Sequence, residues 1–85
     1  MYYVYVLQNV QDETDFYTGY SSDLKKRVEQ HNEGKNTCTR GKRWRVVYYE
    51  AYISEEVARD RERKLKNDGR VKRFLFERIK SQFGE

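Results

Sequence analysis

The 85-residue chain has no proline, one cysteine, one histidine and no long apolar run. Each scarcity removes a class of protein. Cys38 stands alone, so there is no internal disulfide and no cysteine framework of the secreted type. One Cys and one His cannot build a zinc site of Cys and His ligands. The opening run "Y-Y-V-Y-V-L", residues 2 to 7, lacks a basic flank and is too short to span a bilayer. Neither a signal peptide nor a transmembrane helix is expected, and a reducing, cytoplasmic location with no membrane partner is the resulting expectation. Without repeats, low-complexity tracts or linkers, the length predicts one domain over residues 1–85.

Basic charge is missing from one part of the chain. The first twenty residues hold no Lys or Arg and three acids, while all eighteen bases lie between Lys25 and Lys80. The net charge of +4 is therefore concentrated, predicting a basic face opposite a neutral one. Nucleic-acid phosphate is the commonest partner of such a face; a merely soluble basic surface is the plainer reading. Charged residues reach 38%, yet the apolar 36% cluster in periodic segments, which argues for a folded chain.

Residues 2–7 are apolar on both parities, as in a central strand covered on both faces. "Q-N-V-Q-D-E-T-D" predicts a polar turn longer than a tight hairpin, and "F-Y-T-G-Y" a second strand. A helix follows, capped by Ser21 or Ser22, with Asp23 at its positive end and Gly34 as the residue beyond it. Residues 34–43 read as a basic loop and "W-R-V-V-Y-Y-E-A-Y" as a third strand. Ser54 caps a second helix, "N-D-G" at 67–69 breaks it, and a third presents Val71, Phe74, Leu75, Arg78 and Ile79 on one face. The expected fold is α+β: a three-stranded antiparallel sheet flanked by helices, order β-β-α-β-α-α.

Glu62 lies between Ala58 and Leu65 at helical spacing, hence on or beside the buried stripe. It either forms an exposed pair with Lys66, four residues on, or takes a stronger partner such as a divalent cation. Arg27 and His31 are also four apart, beside Leu24 and Val28. An Arg held there can grip a phosphate through two parallel hydrogen bonds. His31 is a proton acceptor or a cation favoured at a helix C-terminus. Tyr3, Tyr5 and Tyr17 fall on the hairpin, where most tyrosines are core residues with a wet hydroxyl.

The combination is more specific than any member. "Y-V-Y" at 3–5, "Y-T-G" at 17–19, Arg27, "H-N" at 31–32 and the Glu of "R-E-R-K-L-K" occur in the order and spacing of a known nuclease family. Nearly the whole chain resembles the GIY-YIG nuclease domain. It is most similar to small standalone members, which look like the N-terminal catalytic domain of the excinuclease that carries this motif and like structure-specific nucleases of the family. Tyr3 stands where the family usually has Gly, and Thr18 where it has Ile. Tyr20 and Phe74 stand where some relatives carry Lys and Asn.

The resemblance implies an endonuclease that hydrolyses phosphodiester bonds of DNA, with branched or nicked duplexes among the candidate substrates, RNA left open and a role in DNA repair. It implies that Glu62 holds one Mg2+ or Mn2+ and that Arg27 clamps a non-bridging oxygen. Tyr5 becomes the general base, Tyr17 positions water or phosphate, and His31 assists proton removal. A phenol of pKa about 10 is a poor base at neutral pH, so a nearby cation, Arg27 or the metal, is expected to lower it. Substrate backbone contacts are expected from Lys25, Lys26, Lys35, Arg40, Lys42, Arg43, Arg61 and Arg63, with Arg59, Arg70, Lys72 and Arg73 nearby in sequence. No base-reading pattern is visible, so target choice is expected from a protein partner or added domain. Two rivals remain: a nucleic-acid-binding module with the same fold and no useful catalysis, and a structural protein whose basic face meets an acidic protein.

Overall fold

A computed structural model describes residues 1–34 and 41–82. The elements run β1 (Tyr2–Asn9), β2 (Asp12–Ser21), α1 (Leu24–Asn32), β3 (Trp44–Tyr52), α2 (Glu55–Asn67) and α3 (Gly69–Gln82). The sheet is antiparallel in the order β2-β1-β3. This is the expected α+β architecture, with β1 at its centre.

The alternation of β1 divides the core between two faces. Val4 and Val6 pack with Val47 of β3, Ala58 and Leu65 of α2, and Leu75 and Ile79 of α3. Tyr5 and Leu7 point the other way, against Trp44, Tyr17, and Leu24 and Val28 of α1. Side chains at successive positions of a strand face opposite sides. The unbroken apolar run of β1 therefore serves two layers of helices.

Three boundaries differ from expectation. The segment predicted as a polar turn is mostly strand: β2 begins at Asp12, and Asn9 pairs with Asp12 across a local register shift. Its polar side chains are satisfied by hydrogen bonds, which lets the strands extend without an apolar face. Gln8 accepts from the Arg45 guanidinium at 2.6 and 2.9 Å, and Asn9 donates to Asp15 at 3.1 Å. The cap of α1 is Asp23, not Ser21 or Ser22, and its carboxylate accepts the Lys26 N–H at 3.1 Å. Ser21 ends β2, its buried hydroxyl bonded to the Asp23 backbone on both sides.

On α3 the buried residues are Leu75 and Ile79, with Val71 and Phe76 partly covered. Phe76 stacks on Phe16 at 4.8 Å between ring centroids. Phe74, expected on the inner face, is 66% exposed, and Arg78 is exposed beside it. Contact with β2 rotates the helix toward position 76.

The Ser54, Gly34 and helix-break signals hold, while most of the expected 34–43 loop lies outside the described residues. Ser54 caps α2, accepting the Val57 N–H, and Gly34 follows α1 with φ +78° and an N–H bonded to the His31 carbonyl. Asp68 ends α2 and caps α3 through the N–H groups of Arg70 and Val71.

Candidate active site

The site is built on the α1 face of the sheet. Tyr5 stands opposite Gly19 of β2 in register, and Leu7 opposite Tyr17. Facing residues of an antiparallel pair share a side, so Tyr5 and Tyr17 both project toward α1. His31 comes down from the last turn of that helix, one turn beyond Arg27. The adjacent Asn32 fixes the helix end to β3: it accepts the Trp44 N–H at 2.7 Å and donates to the Trp44 carbonyl at 3.2 Å.

His31 is fully buried and Tyr5 is 1% exposed. The Tyr5 hydroxyl and His31 Nε2 share a hydrogen bond of 2.9 Å. Each buried polar group thereby answers the other, where an unanswered one would cost about 1–3 kcal/mol. The Tyr17 ring lies 4.8 Å from the imidazole and 6.4 Å from Trp44.

Electrostatics set the protonation states. Burial, then the Arg27 charge, push His31 below its ordinary value of 6.5, so the imidazole is neutral at pH 7. Burial also pushes the Tyr5 hydroxyl well above 10, aided by Tyr17 and Glu62. Arg27 does pull it down, as expected, but burial is the larger effect. Arg27 alone therefore does not bring the Tyr5 hydroxyl down; burial holds it above its ordinary value.

Glu62 projects from α2 toward the same group, close enough for its charge to act on the Tyr5 hydroxyl. Its carboxylate, 23% exposed, pairs with Lys66 Nζ at 3.3 Å. Lys66 in turn lies 5.8 Å above the Tyr17 ring. The tertiary structure thus gathers Tyr5, Tyr17, Arg27, His31 and Glu62 about one buried hydroxyl–imidazole pair. Tyr3 lies apart, its ring edge-on to Tyr49 at 6.1 Å.

The basic residues divide by their partners. Lys25 and Lys26 are exposed on α1, and Arg43 is exposed beside Lys42. Lys42 pairs with Asp15 at 2.9 Å, and Arg63 pairs with Asp60. Arg59 pairs with Glu55 and lies 5.0 Å over Tyr20; Arg73 pairs with Glu77. Lys35 and Arg40, with Cys38, lie outside the described residues. Arg61 is the sharpest departure from the expected phosphate contacts. It grips Glu50 through two bonds of 2.9 and 3.0 Å, and Tyr48 and Tyr52 donate to the same carboxylate. Burial would raise the Glu50 carboxyl, but these bonds outweigh it and hold the group below the usual range.

Sequence reasoning missed this Glu50–Arg61 clamp, whose one signal is a lone acid in the apolar run of β3. It also missed Lys66 as a neighbour of Tyr17. Tyr20 pairs in register with Val4, on the parity opposite Tyr17 and Gly19, and its hydroxyl donates to Glu55 at 3.0 Å.

The family model of the GIY-YIG catalytic domain matches residues 1–74. The chain belongs to the GIY-YIG family. GIY-YIG is a nuclease family whose nucleases act on nucleic acids. A UPF0213 protein of Streptococcus pyogenes is 48% identical over 58 residues, 66% of this chain and 61% of the relative. A UPF0213 protein of Haloquadratum walsbyi is 35% identical over 74 residues, 85% of this chain and 81% of the relative. The solution structure of a UPF0213 protein from Bacillus halodurans is similar with a TM-score of 0.56 and 34% identity, covering 94% of this chain and 86% of that one. This GIY-YIG chain spans about three fifths of the length of the streptococcal relatives it matches (61%). Among the described residues, no helix is long and apolar enough to cross a membrane.

Proposed function

We propose that this GIY-YIG protein is a metal-dependent endonuclease that hydrolyses phosphodiester bonds of DNA in the cytoplasm. One observation carries the reading. A buried, neutral His31 shares a 2.9 Å hydrogen bond with the Tyr5 hydroxyl, and the charges of Arg27 and Glu62 act on that hydroxyl.

Hard divalent cations take oxygen ligands, and Mg2+ commonly uses one or two protein carboxylates with water and phosphate completing its shell. The site offers one partly open carboxylate, Glu62, and among the described residues no cluster of three or more His, Cys, Asp or Glu. That donor set fits one Mg2+ or Mn2+ held by Glu62 and does not fit a closed protein cage. When bound, the ion supplies positive charge to the phosphate and the leaving oxygen.

The attacking water must lose a proton as its oxygen bonds to phosphorus. Tyr5 does so without becoming a phenolate: its oxygen takes the water proton as its own proton passes to His31 Nε2. Tyr5 ends neutral and His31 ends charged. The bond from phosphorus to the 3′ oxygen breaks, and that oxygen takes a proton from solvent. Arg27 binds a non-bridging oxygen and favours the charge that develops there. Tyr17 hydrogen-bonds the phosphate or positions the water. Lys25, Lys26 and Arg43 hold the substrate backbone, with Lys42 and Arg63 exchanging exposed carboxylates for phosphate. Arg61 leaves that set, because Glu50 already occupies its guanidinium.

Nicking of supercoiled plasmid tests the reading. Wild type is expected to nick only with Mg2+ or Mn2+, and Glu62→Ala and Arg27→Ala to lose about 10²-fold or more. The raised Tyr5 hydroxyl favours one second reading, a binding module without useful catalysis. Salt-sensitive DNA binding with no nicking in either metal would establish that module and end the enzyme proposal.

A further inference from the structure

A cleft of about 320 Å³ runs beside the candidate active site, between β2 and the α2–α3 pair. Its lining includes Tyr17, whose ring packs on His31, together with Thr14, Thr18, Lys66 and Lys72. Both ammonium groups are seated over aromatic rings of its wall. Lys66 lies 5.8 Å from the Tyr17 ring centre, and Lys72 lies 5.6 Å from that of Phe76. Such seating holds a long side chain near one position, and its charge is preserved.

Five neighbouring cations of these helices are different. Arg59, Arg61, Arg63, Lys64 and Arg73 are each paired with a carboxylate. Among the described residues Lys72 is paired with none, and Lys66 only with Glu62, the carboxylate assigned above to a metal. Asp15, the one acid lining the cleft, is held by Lys42 and Asn9. The cleft therefore presents two positive charges seated on aromatic rings and two threonines, and shares Tyr17 with the candidate site.

We propose that this cleft binds the phosphodiester backbone flanking the scissile bond, with Lys66 and Lys72 each contacting one phosphate. The inference rests on the nuclease reading and adds to it the path of the strand along β2. Charge complementarity selects the occupant, and continuity with Tyr17 selects the segment of it.

The test is equilibrium binding of a fluorescein-labelled branched DNA duplex in Ca2+, as a function of salt. Ca2+, a hard cation that takes carboxylate oxygens, occupies Glu62 and so releases Lys66 from its ion pair. Each phosphate contact contributes about 0.9 to the slope of log affinity against log salt. Lys66→Ala and Lys72→Ala are each expected to reduce the slope by about 0.9, and the double variant by about 1.8. Lys64→Ala removes the same charge outside the cleft and is expected to leave the slope unchanged. Wild-type slopes in both cleft variants, or an equal loss in Lys64→Ala, would overturn the cleft while leaving the nuclease reading intact. Failure of wild type to bind the duplex at any salt would overturn both.

Discussion

A Cβ atom on Gly19 would stand 2.4 Å from the Tyr5 hydroxyl oxygen and 2.5 Å from the ring carbon that bears it. The two residues are register partners, so the Tyr5 ring lies across β2 in the space that a side chain at position 19 would fill. The glycine of "Y-T-G" is thus a steric condition for the hydrogen bond to His31.

Gly19→Ala must displace a fully buried ring, which has no flexible end that can swing aside. We expect a stability loss of about 1–3 kcal/mol in chemical denaturation. Nicking is expected to fall by about 10²-fold, because the Tyr5 hydroxyl moves off His31. An alanine variant with wild-type activity would show that the Tyr5–His31 bond is dispensable.

The pH profile distinguishes the two ways of using Tyr5. If neutral His31 accepts the proton, activity rises as pH increases through a value below 6.5 and is level across neutral pH. If a Tyr5 phenolate were the base, activity would keep climbing toward and beyond pH 10. Stability shares the first limb. The folded-state value of His31 is depressed, so its contribution is complete above 6.5 and is lost as pH falls through the folded value. A rate still rising tenfold per unit above pH 8 would remove His31 from the mechanism.

Tyr5→Phe keeps the ring that fills the core and deletes the oxygen. It leaves the buried His31 Nε2 without its tyrosine partner, at a cost of about 1–3 kcal/mol. Nicking is expected to fall by about 10²–10⁴-fold while duplex binding is retained. Loss of binding in parallel with activity would mean that the hydroxyl holds substrate and does not relay a proton.

Glu50→Gln probes the attachment of α2 to β3. Arg61 would lose a two-point ionic partner, and two tyrosine hydroxyls would lose their carboxylate acceptor. We expect a loss of about 2 kcal/mol in thermal or urea denaturation, since a partly buried cation is left poorly paired. Arg63→Ala, which breaks an exposed pair, should change stability by less than about 1 kcal/mol. Equal effects of the two variants would deny the clamp its structural weight.

Much of the fold was legible because its signals are local. The doubly apolar β1, the Ser54 cap and the "N-D-G" break each depend on residues adjacent in sequence. The ends of the hairpin were not legible, since Gln8 and Asn9 join the sheet through side-chain bonds to Arg45 and Asp15. Neither was Phe74, because the stacking of Phe76 on Phe16 sets the rotation of α3. For the candidate site, the resemblance to the GIY-YIG family nominated Tyr5, Tyr17, Arg27, His31 and Glu62 together, where spacing alone left each open to a plainer role. Neither revealed that Arg61, next to Glu62, is held by Glu50 eleven residues earlier.

Strand and helix periods, caps and the order of motif residues are properties of the chain alone, and they determined the architecture and nominated the site. Protonation states and the commitment of each cation depended on the tertiary structure. Burial raises the Tyr5 hydroxyl and depresses His31, and packing decides which carboxylate each Arg or Lys meets. Both effects follow from distances and solvent exclusion between segments remote in sequence, which residue order does not specify.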